Sequence, residues 1–137
     1  NDIRCISWGD NTTMAQPNYA ENYALALAGE ELAASVYADM GYSIIAARVR
    51  TKVGEIDLIV RDATGNVVFV EVKTRRGRGF GAAEAVTAKK LRTMRRCAAE
   101  WLEDKPYSPV RFDVAEVIAT DESMDIRLFE DVDHGAC

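Results

Sequence analysis

Between Glu21 and Met40 the apolar positions Leu25, Ala28, Leu32, Val36 and Met40 recur at helical spacing, and Gly41 stands where a C-terminal cap belongs. The period predicts an amphipathic helix over 21–40. On its wheel Glu31 lies opposite the apolar stripe, while Glu30 lies at the boundary beside Ala33 and Tyr37 and can look toward a packed sheet. After Gly41 the pattern changes. A first strand is read over 42–50, then two runs dense in Val, Ile and Phe follow: Gly54-Glu55-Ile56-Asp57-Leu58-Ile59-Val60 and Val67-Val68-Phe69-Val70-Glu71-Val72-Lys73. They flank Asp62-Ala63-Thr64-Gly65-Asn66, whose Asp, Gly and Asn supply turn chemistry, so the two runs predict a β-hairpin. A second helix is predicted from about 82 to 102. It buries Leu91, Met94, Ala98, Trp101 and Leu102 on one side and clusters Lys89, Arg92 and Arg96 on another, with Pro106 and Pro109 beyond its end. Two further strands are read over 111–119 and 124–129. Residues 1–20 show no sustained period and contain Gly9-Asp10-Asn11 and Pro17-Asn18, so they predict a poorly ordered extension ahead of one domain over 21–137. Helix, hairpin, helix and two strands amount to a three-layer α/β/α domain with a mixed central sheet.

The hairpin carries charges that a sheet does not ordinarily hold. If Asp62 faces Asn66 across the turn, Asp57 falls opposite Glu71 and Glu55 opposite Lys73. Alternation then puts Glu55 and Asp57 on one face of their strand, and Glu71 and Lys73 on one face of theirs. Like charges directly opposite each other destabilise a hairpin unless a cation stands between them, and a divalent ion held by oxygen ligands meets that need. An edge-strand ion pair is the structural alternative. For Glu55, a salt bridge to Lys73 or Arg75 stands beside metal binding.

The remaining charge is unevenly spread. The chain carries −5 overall, yet nine basic residues face three acids between Glu71 and Glu100. Phosphate binding follows the local field, so a basic strip beside an acidic site suits DNA or RNA; a solvated helix face is the plainer reading. The run Thr74-Arg75-Arg76-Gly77-Arg78-Gly79-Phe80-Gly81 reads as a mobile cationic loop able to follow a phosphate backbone. With 137 residues, 48% of them hydrophobic, the chain suits one domain. No run approaches the length of a membrane span and no secretory signal is visible, so no membrane partner and a cytoplasmic location are expected. Cys5, Cys97 and Cys137 lack metal-site spacing and predict reduced thiols. One late histidine, His134, disfavours a Ser/His/Asp or Cys/His nucleophile.

An Asp followed by Glu-x-Lys on the next strand resembles the PD-(D/E)XK nuclease superfamily, the restriction endonuclease-like fold. Gly29-Glu30-x-x-Ala33, Gly41-Tyr42-x-Ile44, Gly54-Glu55-Ile56-Asp57-Leu58-Ile59 and Val68-Phe69-Val70-Glu71-Val72-Lys73-x-Arg75 extend the match, as do Phe80-Gly81, Glu84-Ala85-Val86 and Arg111-Phe112-Asp113-Val114. Together they resemble the YraN family, small endonuclease-like bacterial proteins similar to archaeal Holliday junction resolvases. The resemblance runs from about 29 to 129. It departs at Arg48, where the family's Asn is expected, and at Val49, where a Trp is usual.

The resemblance implies an endonuclease dependent on Mg2+, with Mn2+ as a substitute, that hydrolyses phosphodiester bonds of DNA, with branched or recombination intermediates as the substrate class. Asp57 and Glu71 would supply metal oxygens with the Val72 backbone carbonyl; Glu30 would complete the shell, although a capping or surface acid is its structural alternative. Lys73 would orient or deprotonate the attacking water. Arg75, Arg76, Arg78, Lys89, Arg92 and Arg96 would contact nucleic acid, and a two-fold junction favours a homodimer. A non-catalytic nucleic-acid- or partner-binding module that keeps the fold is the alternative, and RNA stays open as a substrate.

Overall fold

The structure, a computed structural model, describes residues 3–7, 19–77 and 87–133. In chain order its elements are β1 (Ile3–Ser7), α1 (Tyr19–Asp39), β2 (Ser43–Arg50), β3 (Glu55–Arg61), β4 (Val67–Arg76), α2 (Ala88–Leu102), β5 (Val110–Ala119) and β6 (Ser123–Phe129). The strands form one sheet in the order β1-β6-β5-β4-β3-β2. Every neighbouring pair is antiparallel except β4 and β5. Parallel neighbours need a crossover rather than a tight turn, and α2 lies in that crossover.

Strand alternation sends Val68 and Val70 to one side, where they meet Ala33, Val36 and Tyr37 of α1. Val67 and Phe69 point the other way, against Leu91, Met94, Cys97 and Ala98 of α2. The result is a three-layer α/β/α arrangement with a mixed sheet, as the sequence predicts. Among the described residues no helix is long and apolar enough to cross a membrane.

Several local expectations shift. The buried face of α1 is Ala28, Gly29, Ala33, Val36 and Tyr37, whereas Leu25, Leu32 and Met40 are only partly buried. The buried face keeps Ala28 and Val36 of the expected stripe and adds Gly29, Ala33 and Tyr37. Gly41 does take the left-handed conformation of a cap, at φ 96°. Thr74, Arg75 and Arg76 are not loop: they extend β4 by pairing with Val117, Ile118 and Ala119 of β5. A long neighbouring strand offers backbone partners that local composition cannot reveal. Residues 78–86, including Arg78 and the expected start of the second helix, lie outside the described residues. Within the stretch read as a poorly ordered extension, Ile3–Ser7 forms an edge strand against β6, and α1 starts at Tyr19. Five residues are too short a run to show a period.

A buried polar network ties the layers together. Asp113 of β5 is fully buried. It accepts hydrogen bonds from Tyr37 Oη at 2.7 Å, from Arg111 Nε and Nη2 at 2.9 Å each, and from the Asp131 amide at 2.9 Å. Arg111 Nη2 also donates to Tyr42 Oη at 2.7 Å. Burial, then the Asp113 charge, pushes the Tyr37 phenol far up, so it stays a donor. One carboxylate thus fastens α1, the entry to β2, β5 and the chain after β6.

Candidate functional site

The hairpin register follows the turn. Asp62 and Asn66 face each other through a main-chain hydrogen bond of 3.0 Å, and the ladder runs from Arg61 opposite Val67 to Leu58 opposite Val70. There the pairing ends. One residue further, Asp57 Oδ2 accepts the Val72 amide at 2.8 Å, so a side chain takes the donor that a ladder carbonyl would otherwise have held. β3 and β4 therefore part at the two acids. A strand residue directs its N–H and C=O to the same edge, so the Val72 carbonyl also faces the Asp57 side.

Burial shapes the electrostatics of this split. The Glu71 side chain is only 13% exposed, and its Oε2 lies 3.2 Å from Lys90 Nζ of α2. Burial, and then the neighbouring Asp57 charge, raises Glu71 to about 7 against the opposing pull of Lys90 and Lys73. Asp57 is likewise raised by burial, while the Val72 amide and Lys90 pull it down. Glu30 of α1 completes the group. Burial and then the Asp57 charge lift it to about 6, with Arg48 opposing. Its Oε1 stands 3.9 Å from Arg48 Nη1, is buried, and has no hydrogen-bond partner among the described residues.

Gly29 sets that position. A Cβ built there would lie 2.0 Å from Thr74 Oγ1 of β4, closer than atoms can approach. Only glycine lets α1 sit this near the strand that carries Glu71. Gly29→Ala should therefore destabilise the fold by about 1–3 kcal/mol, even though Ala is the better helix former by about 1 kcal/mol. Urea titration checks this, and adding Thr74→Ala to Gly29→Ala should recover part of the loss.

The structure thus brings Asp57 and Glu71 together, with Val72 beside them and Glu30 farther out but within reach of the Asp57 charge. Lys73 is exposed on β4 and lies close enough for its charge to act on Glu71. Glu55 is exposed, and its charge raises both Asp57 and Glu30. Among the described residues no three His, Cys, Asp or Glu side chains converge at metal-ligand spacing. The donors are a carboxylate pair with a third acid farther out, which fits a hard ion that keeps several waters and takes one or two carboxylates. The orphaned Glu30 Oε1 is the kind of acceptor such a water would satisfy.

The basic residues divide. Lys89, Arg92 and Arg96 are exposed on α2 at spacings that share one face. Arg75 points at the buried Glu116 of β5, 3.4 Å away, and Arg76 is half-buried. Sequence reasoning missed three participants. Lys90 counted only toward the basic strip; Thr87, whose side chain accepts the Lys90 amide at 3.0 Å as the N-cap of α2, was the signal that places it in the first turn. Glu116 gave no local signal. Arg48, at φ 54°, donates from Nη2 to Tyr23 Oη at 3.0 Å and also reaches Glu30. Asn tolerates that left-handed backbone better than Arg, which gives a physical reading of the Asn expected there.

Residues 29–117 match the family described as Uncharacterised protein family UPF0102. The UPF0102 protein of Corynebacterium efficiens is 50% identical over 118 residues, spanning 85% of this chain and 97% of that protein. That of Nocardia farcinica is 50% identical over 103 residues, spanning 73% and 80%. Among solved structures, EndoMS in a complex with double-stranded DNA is similar at TM-score 0.41 and 21% identity, over 77% of this chain and 38% of that one. A repair endonuclease from Pyrococcus abyssi is similar at TM-score 0.37 and 15% identity, over 80% and 40%. This chain thus spans less than half the length of either structure. With its matched segment holding Glu30, Asp57, Glu71, Lys73 and Lys90 alike, the chain belongs to the UPF0102, or YraN, family.

Proposed function

We propose that the protein is a divalent-cation-dependent endonuclease hydrolysing phosphodiester bonds of DNA, with branched intermediates as its substrate class. The observation that carries this reading is the split hairpin: two half-buried, adjacent carboxylates held open at a strand divergence, one of them fixed by the Val72 amide. Mg2+ or Mn2+ would be held by Asp57, Glu71 and the Val72 carbonyl, with Glu30 reached through water. When bound, the ion supplies a more acidic water and neutralises charge on the phosphoryl oxygens.

The protein's own groups do the rest. Lys73 orients the attacking water, whose proton passes to Glu30, held near 6 by burial and the Asp57 charge. Lys73 also offsets charge as the water oxygen bonds to phosphorus and the bridging P–O bond breaks, the departing oxygen taking a proton from solvent water. The exposed stripe Lys89, Arg92 and Arg96 holds flanking phosphates. A homodimer would present two such sites to a two-fold junction.

Purified protein incubated with branched DNA, linear duplex and single-stranded RNA should release fragments from branched DNA when Mg2+ is present and none after chelation. Salt-sensitive binding without cleavage of any of them would instead favour a binding module. A pH dependence follows from Glu71. Its folded value is raised from 4.5 to about 7, so the cation-free fold binds the proton more tightly than the unfolded chain does. The stability this contributes is complete below 4.5 and is lost as pH rises through about 7. Metal affinity should run the opposite way, rising over the same window as the competing proton leaves. Melting temperatures and Mn2+ titrations across that range check both signs, and Glu71→Gln should flatten both.

A further inference from the structure

The acid pair already has a cation against it, and that cation belongs to the protein. Lys90 Nζ lies 3.2 Å from Glu71 Oε2, and its charge acts on Asp57 as well. The motif lysine, Lys73, is exposed and acts on Glu71 through its charge alone, whereas Lys90 supplies both a stronger charge effect and a hydrogen bond. Two lysines therefore stand in different relations to one site. The backbone of Lys90 is fixed, because Thr87 Oγ1 accepts its amide at 3.0 Å in the first turn of α2. Its head is not: the side chain is 41% exposed and hangs on a flexible four-carbon stem.

An ammonium and a divalent ion cannot share this place. Mg2+ binds carboxylate oxygen at about 2.0–2.1 Å and carries twice the charge, so its arrival against Glu71 puts two cations at repulsive range in a half-buried site. We propose that Lys90 is the resident counter-ion of the Asp57–Glu71 pair, a built-in competitor that a divalent cation must displace on entering. This rests on the metal reading given above. Without the ion, Lys90 compensates the buried acids and lets the split hairpin persist. With the ion bound, the ammonium swings outward on its stem to the mouth of the site, where its charge faces an incoming phosphate. Metal loading and the exposure of a phosphate-seeking lysine become one event.

The test is Mn2+ affinity without nucleic acid, measured by electron paramagnetic resonance on the full chain, for wild type, Lys90→Met, Lys105→Met and Asp57→Asn. The titration is run well above the Glu71 value of about 7, so that loss of Lys90 does not act by reprotonating Glu71. Lys90→Met should bind Mn2+ about two- to fivefold more tightly than wild type, the factor expected from removing one ion pair as competitor. Lys105→Met, a control for net charge beyond the far end of α2, should match wild type. Equal or weaker binding by Lys90→Met, with wild-type binding intact and lost in Asp57→Asn, overturns the proposal alone. No binding by wild type overturns the metal reading and this proposal with it.

Discussion

Asp57→Asn is expected to lower phosphodiester cleavage about a thousandfold, because it removes one of two carboxylate charges that hold an ion contributing several kcal/mol to the reaction. The substitution is nearly isosteric. The Asn oxygen can still accept the Val72 amide, the 2.8 Å contact that fixes Asp57 at the strand divergence, so the fold should remain. Removing a raised, half-buried carboxylate should slightly stabilise the cation-free protein rather than unfold it. Activity and stability therefore move in opposite directions. Cleavage of branched DNA with Mg2+, measured beside a urea titration of the same preparation, reads both. Retention of wild-type cleavage would show that Asp57 is a structural acid.

The largest loss of stability is expected one strand over from that split, at Asp113→Ala. The substitution strips four hydrogen bonds from Tyr37, Arg111 and the Asp131 amide, and leaves Arg111 without its carboxylate. The Arg111 guanidinium is raised chiefly by its hydrogen bond to Asp113, an outward sign of how strongly the pair is coupled. Breaking a buried pair on one side costs about 3–5 kcal/mol. That is a large share of the roughly 5–15 kcal/mol by which domains are stable. The unfolding free energy should fall by that amount, read as a lower urea midpoint at unchanged slope, and Asp113→Asn should lose less because its one amide oxygen still accepts from either Tyr37 or the Asp131 amide, which use different oxygens of the carboxylate. A loss of stability below about 1 kcal/mol would mean the network is solvated in solution.

What the sequence made legible was local. The Val- and Ile-rich runs and the Asp-Thr-Gly-Asn turn fix a hairpin register that the structure repeats down to Leu58 opposite Val70. The α2 stripe was readable because Leu91, Met94 and Ala98 keep the helical period, and Cys97 joins them on the buried side. What escaped is set by contacts between distant segments. Arg75 and Arg76 read as loop because their strand partners, Ile118 and Ala119, belong to β5. Gly29 stood in the sequence as part of a pattern; its reason is Thr74, which the helix can approach only without a side chain. Lys90 looked like one more surface cation, since nothing in α2 itself says that its first turn crosses over Glu71. The acids were visible as an oddity of charge, and the lysine that answers them was not.

The central claim is that the parted strands hold a divalent cation between Asp57 and Glu71. Anomalous diffraction from crystals grown with Mn2+ measures this most directly. The account predicts one peak within coordination distance of both carboxylates, with Lys90 Nζ moved off Glu71 Oε2. A site free of anomalous density at saturating Mn2+, with Lys90 still in contact with Glu71, would contradict it.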